Sequence, residues 1–431
     1  MKRLLLMVGL LLCLVGAAQA ADEFFFKPTD DPIVFLGDSI TQQRMYTAYI
    51  ESYILTRFPD WKLHFRNVGW NGDTSWLSLR DGIDNGLSRD VFPLHPKAMT
   101  IDYGMNDARR GAGALPRYHD SLTTLLNDLQ GQGIRTALVS STPEQRAQFG
   151  EPAGSVYNRL LDRFCTVARQ TAQEEKVPFV DQFHPFVQTI SSAQGACLDD
   201  FILVPDNVHP NWAGHLLMAY QILKQLHAPG LVSSVVLDAS GRRLEDAERC
   251  EVTDLKFSHG RISFTRDDES LPMPVRPESE ALFSVPGFDF SADLNQYTLA
   301  VNGLPAGDYD VHLDGEPLGS FSARDLAAGL NLSRNCGCLQ RQSLKLLDKV
   351  WDKNNLYMRR WREVQLRTPA PKQSPDTFAA WQQKELAHDD ALIVRQEAEI
   401  DALRHPGPHK WLLTRAAPQP LATGEIASIW P

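Results

Sequence analysis

Ile33-Val34-Phe35-Leu36-Gly37-Asp38-Ser39 is the stretch whose reading decides the fold: four apolar residues run straight into a glycine, an aspartate and a serine. A short strand that stops on such a turn delivers a serine hydroxyl to the end of a sheet. Far downstream, Asp206-Asn207-Val208-His209 sets a carboxylate three residues before an imidazole. A serine, a histidine and an aspartate are the parts of a nucleophilic centre, because a hydroxyl attacks well only beside a base that a third group orients.

Working outward, apolar runs of strand length recur at Leu63–Asn67, Ala98–Ile101, Thr136–Ser140 and Phe179–Asp181, with amphipathic stretches between them. Val156, Leu160, Leu161, Phe164, Val167 and Ala168 form an i, i+3, i+4 stripe expected to face the sheet. This alternation predicts an α/β fold with a parallel sheet covered on both faces by helices. Ligands of such sheets bind beyond the carboxyl ends of the strands. Ser39, Gly72 and Asn106 each follow a predicted strand, and Asp206 and His209 precede a helix expected to start near Asn211. All five therefore fall at one edge of the sheet.

Two more segments lie between those ends, Asn67-Val68-Gly69-Trp70-Asn71-Gly72-Asp73-Thr74 and Asp102-Tyr103-Gly104-Met105-Asn106-Asp107. The four segments together resemble the SGNH (GDSL) hydrolase family, whose blocks carry in order a nucleophilic Ser, a Gly, an Asn and an Asp-x-x-His pair. The resemblance spans Ile33 to Leu226. It implies a three-layer αβα, flavodoxin-like domain with Ser39, Asp206 and His209 as catalytic residues. It also implies an oxyanion hole made by the Ser39 and Gly72 backbone N–H groups and the Asn106 side-chain amide. The chemistry of the residues agrees, since glycine admits close backbone approach and an asparagine amide donates without carrying charge.

Of twelve histidines, His209 is singled out as the base by Asp206. His184 also follows a predicted strand and is the alternative base, while His215 points elsewhere by helical phase; neither is expected to have a comparable carboxylate partner. Asp38, Asp73 and Asp107 adjoin the motif residues and admit a carboxylate metal site or a glycosidase pair. The preferred reading gives them a structural role, accepting backbone N–H bonds, with no metal and no cofactor. Trp70, Trp76, Tyr103 and Trp212 adjoin the motifs and are candidate substrate-binding rings for a sugar, at least half of them expected to serve only packing.

Residues 1–20 read as a signal peptide, with Lys2 and Arg3, an apolar stretch from Leu4 to Val15, and a small-residue cleavage site at Ala18-Gln19-Ala20. Export to the periplasm or medium follows, with no stable membrane insertion, because the apolar core is too short to span a bilayer. A lipoprotein reading of Cys13 fits poorly beside Leu12. Loss of the leader takes the net charge from −10 to −12. So acidic a chain has no electrostatic case for nucleic acid. An acylated small molecule or carbohydrate suits it better. The five cysteines that remain, Cys165, Cys197, Cys250, Cys336 and Cys338, are read as structural, and Cys336-Gly337-Cys338 is spaced unlike a zinc half-site.

The expected organisation is a hydrolase domain over 21–230, a β-rich accessory module over 231–335, and a helical region over 336–431 that packs on the rest. In the module, Phe257–Phe264 reads as a hairpin, and Tyr297–Val301, Tyr309–Leu313 and Leu318–Phe321 as a meander. The activity implied is that of an exported serine esterase, most readily one that removes O-acetyl groups from a carbohydrate. A lipase or lysophospholipase, or a polysaccharide O-acetyltransferase, would use the same chemistry. A noncatalytic carbohydrate-binding protein is the reading from another class, opposed by the presence of Ser39, Asp206, His209 and Asn106 together.

Overall fold

The structure, a computed structural model, describes residues 23–145, 155–198 and 200–416. The expected leader and cleavage site, Cys13, and the end of the expected helical region lie outside the described residues.

The first sheet is built from β1 (Ile33–Gly37), β2 (Phe65–Asn67), β3 (Ala98–Tyr103), β4 (Arg135–Ser140) and β5 (Phe179–Val180). It runs in the order β2-β1-β3-β4-β5 with every pairing parallel, the doubly wound order of flavodoxin-like folds. β1 and β3 are buried along their whole length, which is why they read as unbroken apolar runs rather than alternating ones. The helices are α1 (Ser39–Gln42), α2 (Met45–Arg57), α3 (Met105–Ala108), α4 (Leu115–Gly131), α5 (Val156–Glu174), α6 (Phe183–Gly195) and α7 (Trp212–Gln225). α2 packs with α7, and α4 with α5, giving the three αβα layers. Ser155 caps α5 by accepting the Asn158 backbone N–H at 2.9 Å. Leu161, Phe164 and Ala168 are buried as the stripe requires, whereas Val156, in the first turn of the helix, is 77% exposed.

After α7 the chain forms two further sheets. One holds β6 (Leu231–Asp238), β7 (Arg243–Glu248), β10 (Gln296–Asn302) and β13 (Leu330–Asn331), in the order β13-β10-β6-β7. The other holds β8 (Cys250–Ser258), β9 (Arg261–Asp268), β11 (Asp308–Leu313), β12 (Glu316–Ser322) and β14 (Gly407–Arg415), in the order β12-β11-β14-β9-β8. Val235, Leu299 and Val301 from the first sheet share one core with Phe264, Val311 and Trp411 from the second, so the pair is a sandwich.

The hairpin at Phe257–Phe264 forms, but the meander does not. β11 and β12 pair antiparallel, while β10 joins the other sheet and runs parallel to β6. Alternating strands bury the same side chains whether they lie side by side or face to face, so the pattern of β10 and β11 left that choice open. The region after 336 also differs from its expectation. α8 (Cys338–Arg359) and α9 (Pro375–Asp401) are helical, yet β14 follows them and inserts between β11 and β9.

The parts interlock. Met273, Val275, Leu282, Phe290 and Leu294, within the stretch expected to be accessory, belong to the core of the first sheet. Arg57 is fully buried and donates to the Pro229 carbonyl at 2.9 Å, the Leu231 carbonyl at 2.6 Å and the Leu294 carbonyl at 3.0 Å. α8 packs on α2, and the buried Lys353 of α8 is ion-paired with Glu51 of α2. Among the described residues, no helix is long and apolar enough to cross a membrane.

Candidate active site

The carboxyl ends of β1 and β3 lie side by side, with Gly37 in register with Asp102. Gly37 is required there by space: a Cβ would stand 2.1 Å from Thr41 Oγ1 and 2.6 Å from the Asp102 carbonyl. The tight turn that follows places Ser39 as the first residue of α1. Asp38 caps that helix, accepting the Ile40 backbone N–H at 2.9 Å.

Ser39 is 8% exposed, and its Oγ lies 2.8 Å from His209 Nε2. The other ring nitrogen, Nδ1, is 2.7 Å from Asp206 Oδ2. The second oxygen of Asp206 accepts the backbone N–H of Val208 at 2.9 Å and of His209 at 2.6 Å, an Asx-type turn that lets one carboxylate hold both the loop and the ring. Burial pushes the Asp206 carboxyl up, but the His209 backbone and ring and the Val208 N–H outweigh it and hold the group below its usual range. The loop is anchored behind by Gln145, whose Oε1 accepts from Leu203 and Val204, and ahead by Asn211, which caps α7 through the Gly214 N–H at 3.0 Å. With Nδ1 donating to Asp206, Nε2 is free to take the Ser39 proton.

Gly72 lies in an exposed turn at φ +77°, a conformation that suits glycine. The backbone N–H groups of Ser39 and Gly72 have no acceptor among the described residues. Asn106, in α3, donates from Nδ2 to the Asp73 carbonyl at 2.9 Å and, at 3.3 Å, to Asp38 Oδ2. The structure thus gathers Ser39, Asp206 and His209 into one hydrogen-bonded chain. Asn106 is tied to both neighbouring loops.

The three aspartates beside the motifs hold loops. Asp73 accepts the Thr74 and Leu79 N–H groups at 3.0 and 3.1 Å, and Asp107 accepts the Ser75 N–H at 3.0 Å and its hydroxyl at 2.6 Å. Sequence reasoning missed the counter-ion, Arg80. This fully buried side chain donates to Asp73 Oδ2 at 2.8 Å, Asp90 Oδ2 at 3.3 Å and the Val68 carbonyl at 2.7 Å. The only trace in the sequence is an arginine seven residues after Asp73.

Among the neighbouring residues, the expectations for His184 and for Tyr103 need correction. His184 does have a carboxylate partner: Asp181, also three residues earlier, lies 2.8 Å from Nδ1, and Asp162 lies 3.1 Å from Nε2. It is His209, however, that meets Ser39. His215 accepts the Tyr46 N–H at Nδ1 and faces Gln43 through Nε2; burial pushes its pKa down to about 3, so it is neutral. Of the candidate rings, Tyr103 is fully buried and offers no face to a ligand, and Trp76 is 9% exposed with Arg117 over its ring. Trp70 and Trp212 are half-buried, and Arg362 and Arg276 respectively cover a face of each at 3.5 and 4.3 Å. Arg362, from the segment after α8, also reaches Gln42 of α1, so the C-terminal region borders the site.

Burial pushes the Asp38 carboxyl up to about 7, with Asp107 and Asp73 adding to the effect against the Ile40 N–H bond. A carboxyl raised in the folded state holds its proton more tightly there than in the unfolded chain. Its contribution to stability is therefore full below the unfolded pKa of 3.8 and is lost as pH rises to about 7. Asp107, raised by burial to about 6, acts in the same direction. Asp38→Asn is expected to flatten the fall in melting temperature between those pH values. Its absolute stability will be lower at acid pH, because an amide would then face the Asn106 amide. Melting curves across the range check this, and an unchanged slope would remove Asp38 as a source.

A model of the GDSL-like lipase/acylhydrolase family matches residues 35–217. An acetylxylan esterase of Geobacillus stearothermophilus is 25% identical over 223 residues, which cover 46% of this chain and 94% of that protein. Among solved structures, BT4096, a gut microbial diltiazem-metabolizing enzyme, is similar with a TM-score of 0.73 at 22% identity, over 91% of this chain and 99% of its own. That likeness is one of fold, and it takes in the sandwich and the C-terminal helices. Axe2, an acetylxylan esterase from Geobacillus stearothermophilus, covers 46% of this chain and 94% of its own at 23% identity with a TM-score of 0.39.

Proposed function

The chain belongs to the GDSL-like lipase/acylhydrolase family through residues 35–217, and on that premise we propose that it is an exported serine esterase that removes acetyl groups from an O-acetylated carbohydrate. The observation that carries the mechanism is the continuous chain from Asp206 Oδ2 to His209 Nδ1 at 2.7 Å and from His209 Nε2 to Ser39 Oγ at 2.8 Å. Ser39 attacks the ester carbonyl as His209 takes its proton; His209 then gives that proton to the leaving alcohol. Water, activated by the same ring, attacks the acyl-enzyme and releases the acid. The oxyanion formed in each step is received by the Ser39 and Gly72 N–H groups and the Asn106 amide, each worth about 3 kcal/mol in the transition state.

Export rests on the leader pattern of Met1–Ala20. The acetyl and carbohydrate parts rest on the resemblance to the acetylxylan esterase and on the acidic net charge, which suits a neutral polymer. The test is acetate release by the mature chain from an aryl acetate and from a panel of O-acetylated oligosaccharides and polysaccharides, beside aryl esters of longer acids. Release from the aryl acetate and from one class of acetylated sugar supports the reading. A preference for long acyl chains would replace it with the lipase reading, and hydrolysis of the aryl ester alone would remove the carbohydrate.

A further inference from the structure

The fold supplies Cys338 with partners that its sequence neighbourhood lacks. Cys338 begins α8, Asp314 lies in the turn between β11 and β12, and His409 stands near the start of β14. Cys338 Sγ is 3.6 Å from His409 Nδ1 and 3.8 Å from Asp314 Oδ2, and that oxygen is 2.7 Å from the same nitrogen. Three potential ligand atoms of three kinds therefore converge on one point.

A nucleophilic thiol relay would be wired differently, with sulfur on one ring nitrogen and carboxylate on the other. Here both face Nδ1, while Nε2 lies 3.2 Å from the Pro406 carbonyl. That carbonyl can only accept, so in a neutral ring the proton sits on Nε2 and Nδ1 turns a lone pair toward the carboxylate and the sulfur. The Cys338 thiol can donate its one proton to only one of these two acceptors, Nδ1 or the carboxylate, so three potential ligand atoms face one another with a single proton among them, an arrangement that a metal ion on the deprotonated sulfur would satisfy.

The surroundings favour the metal. A histidine that hands its other N–H to a backbone carbonyl is the usual outer contact of a metal-ligating imidazole. Asp314 is held likewise: its Oδ1 accepts the Lys410 N–H at 2.8 Å, which aims Oδ2 inward. A thiolate, an imidazole and a carboxylate form a mixed set suited to zinc and unlike the all-oxygen sets of calcium or magnesium. Bonds of ~2.3 Å to sulfur and ~2.0–2.1 Å to nitrogen and oxygen allow one ion to reach all three atoms. Asp314 is exposed and the other two are half-buried, so a fourth, tetrahedral position opens to water. The second such cluster, Cys165, Asp181 and His184, lacks this fit, because Arg169 already pairs with the Asp181 oxygen that faces the His184 ring.

We propose that Asp314, Cys338 and His409 bind a zinc-type divalent ion that ties β14 to the β11–β12 turn and to the start of α8. Binding replaces the Cys338 S–H bond with a sulfur–metal bond and releases that proton to solvent. The site is remote in function from Ser39 and acts on the module's stability.

The test uses the full mature chain, stripped with a chelator and titrated with cobalt(II) as an optical probe, then with zinc(II). One equivalent of cobalt giving a thiolate-to-metal charge-transfer absorption, displaced by zinc and absent in Cys338→Ser, is the expected result. Zinc should also raise the melting temperature of the parent and not of Cys338→Ser, and protect Cys338 from alkylation as mapped by peptide mass spectrometry. No charge-transfer band in the parent, or a band that survives in Cys338→Ser, would overturn the proposal and leave His409 and Asp314 as a hydrogen-bonded pair.

Discussion

Ser39→Ala is expected to lower kcat for ester hydrolysis by about 10⁴- to 10⁶-fold while the protein unfolds at nearly the parent's temperature. The side chain is small, and the Asp38 cap that holds its turn is untouched. His209→Ala should cost a similar factor, because a hydroxyl without its base is no better than water's own competitor. Asp206→Asn is the sharper probe. It keeps the volume but presents the ring with an amide, so the tautomer that accepts the Ser39 proton is no longer favoured, for a loss of about 10⁴-fold. Because the three act as one unit, the double variant Ser39→Ala/His209→Ala should be no worse than Ser39→Ala alone. Steady-state kinetics on an aryl acetate read all four. Activity retained by Ser39→Ala would remove the acyl-enzyme, and additive losses would mean that the serine and histidine act separately.

The second large effect is expected at Arg80, which touches no reacting atom. Arg80→Met should destabilise the fold by about 3–5 kcal/mol, since removing one member of a buried ion pair leaves the buried Asp73 without its cation, while Asp90 keeps Arg89 at 2.8 Å. Asp73 and Asp90 have fully buried side chains, and Arg80 is the cation that bridges them. Asp73 in turn shapes the turn that carries Gly72 and offers its carbonyl to Asn106. Loss of Arg80 should therefore lower kcat in the fraction that remains folded, with little change in KM. Arg80→Lys should rescue poorly, because a single ammonium cannot serve Asp73, Asp90 and the Val68 carbonyl together. Urea unfolding beside kinetics separates the two effects. A stability change under about 1 kcal/mol, the range of an exposed pair, would mean that the bridge is not the anchor described.

The hydrolase sheet was legible because its central strands β1 and β3 are buried along their whole length and so appear as apolar runs that end at a motif. Its parallel order followed from the alternation with amphipathic stretches. The sandwich was only half legible: a local hairpin such as Phe257–Phe264 is closed by its own turn, whereas β10 chooses its partner across more than sixty positions, at β6. β14 went unseen because Trp411 and Leu413 make a short alternating run after two long helices, and its strand hydrogen bonds come from β9 and β11. At the site, residues with distinctive chemistry stood out. Arg80, Arg362 and Gln145 did not, because a buried arginine or glutamine looks in sequence like any surface one.

By itself the sequence marked the candidate residues and the edge of the sheet where they meet, since motif identity and strand position are local properties of the chain. Tertiary structure alone decided which histidine reaches Ser39: His184 and His209 both carry an aspartate three residues before them, and the loop between Leu203 and Asn211 is what brings His209 within 2.8 Å. It also decided that Tyr103 is core rather than rim, that the C-terminal segment borders the site through Arg362, and that Asp314, Cys338 and His409 share one point. Distance between residues far apart in the chain depends on how whole layers pack, and no local pattern encodes it.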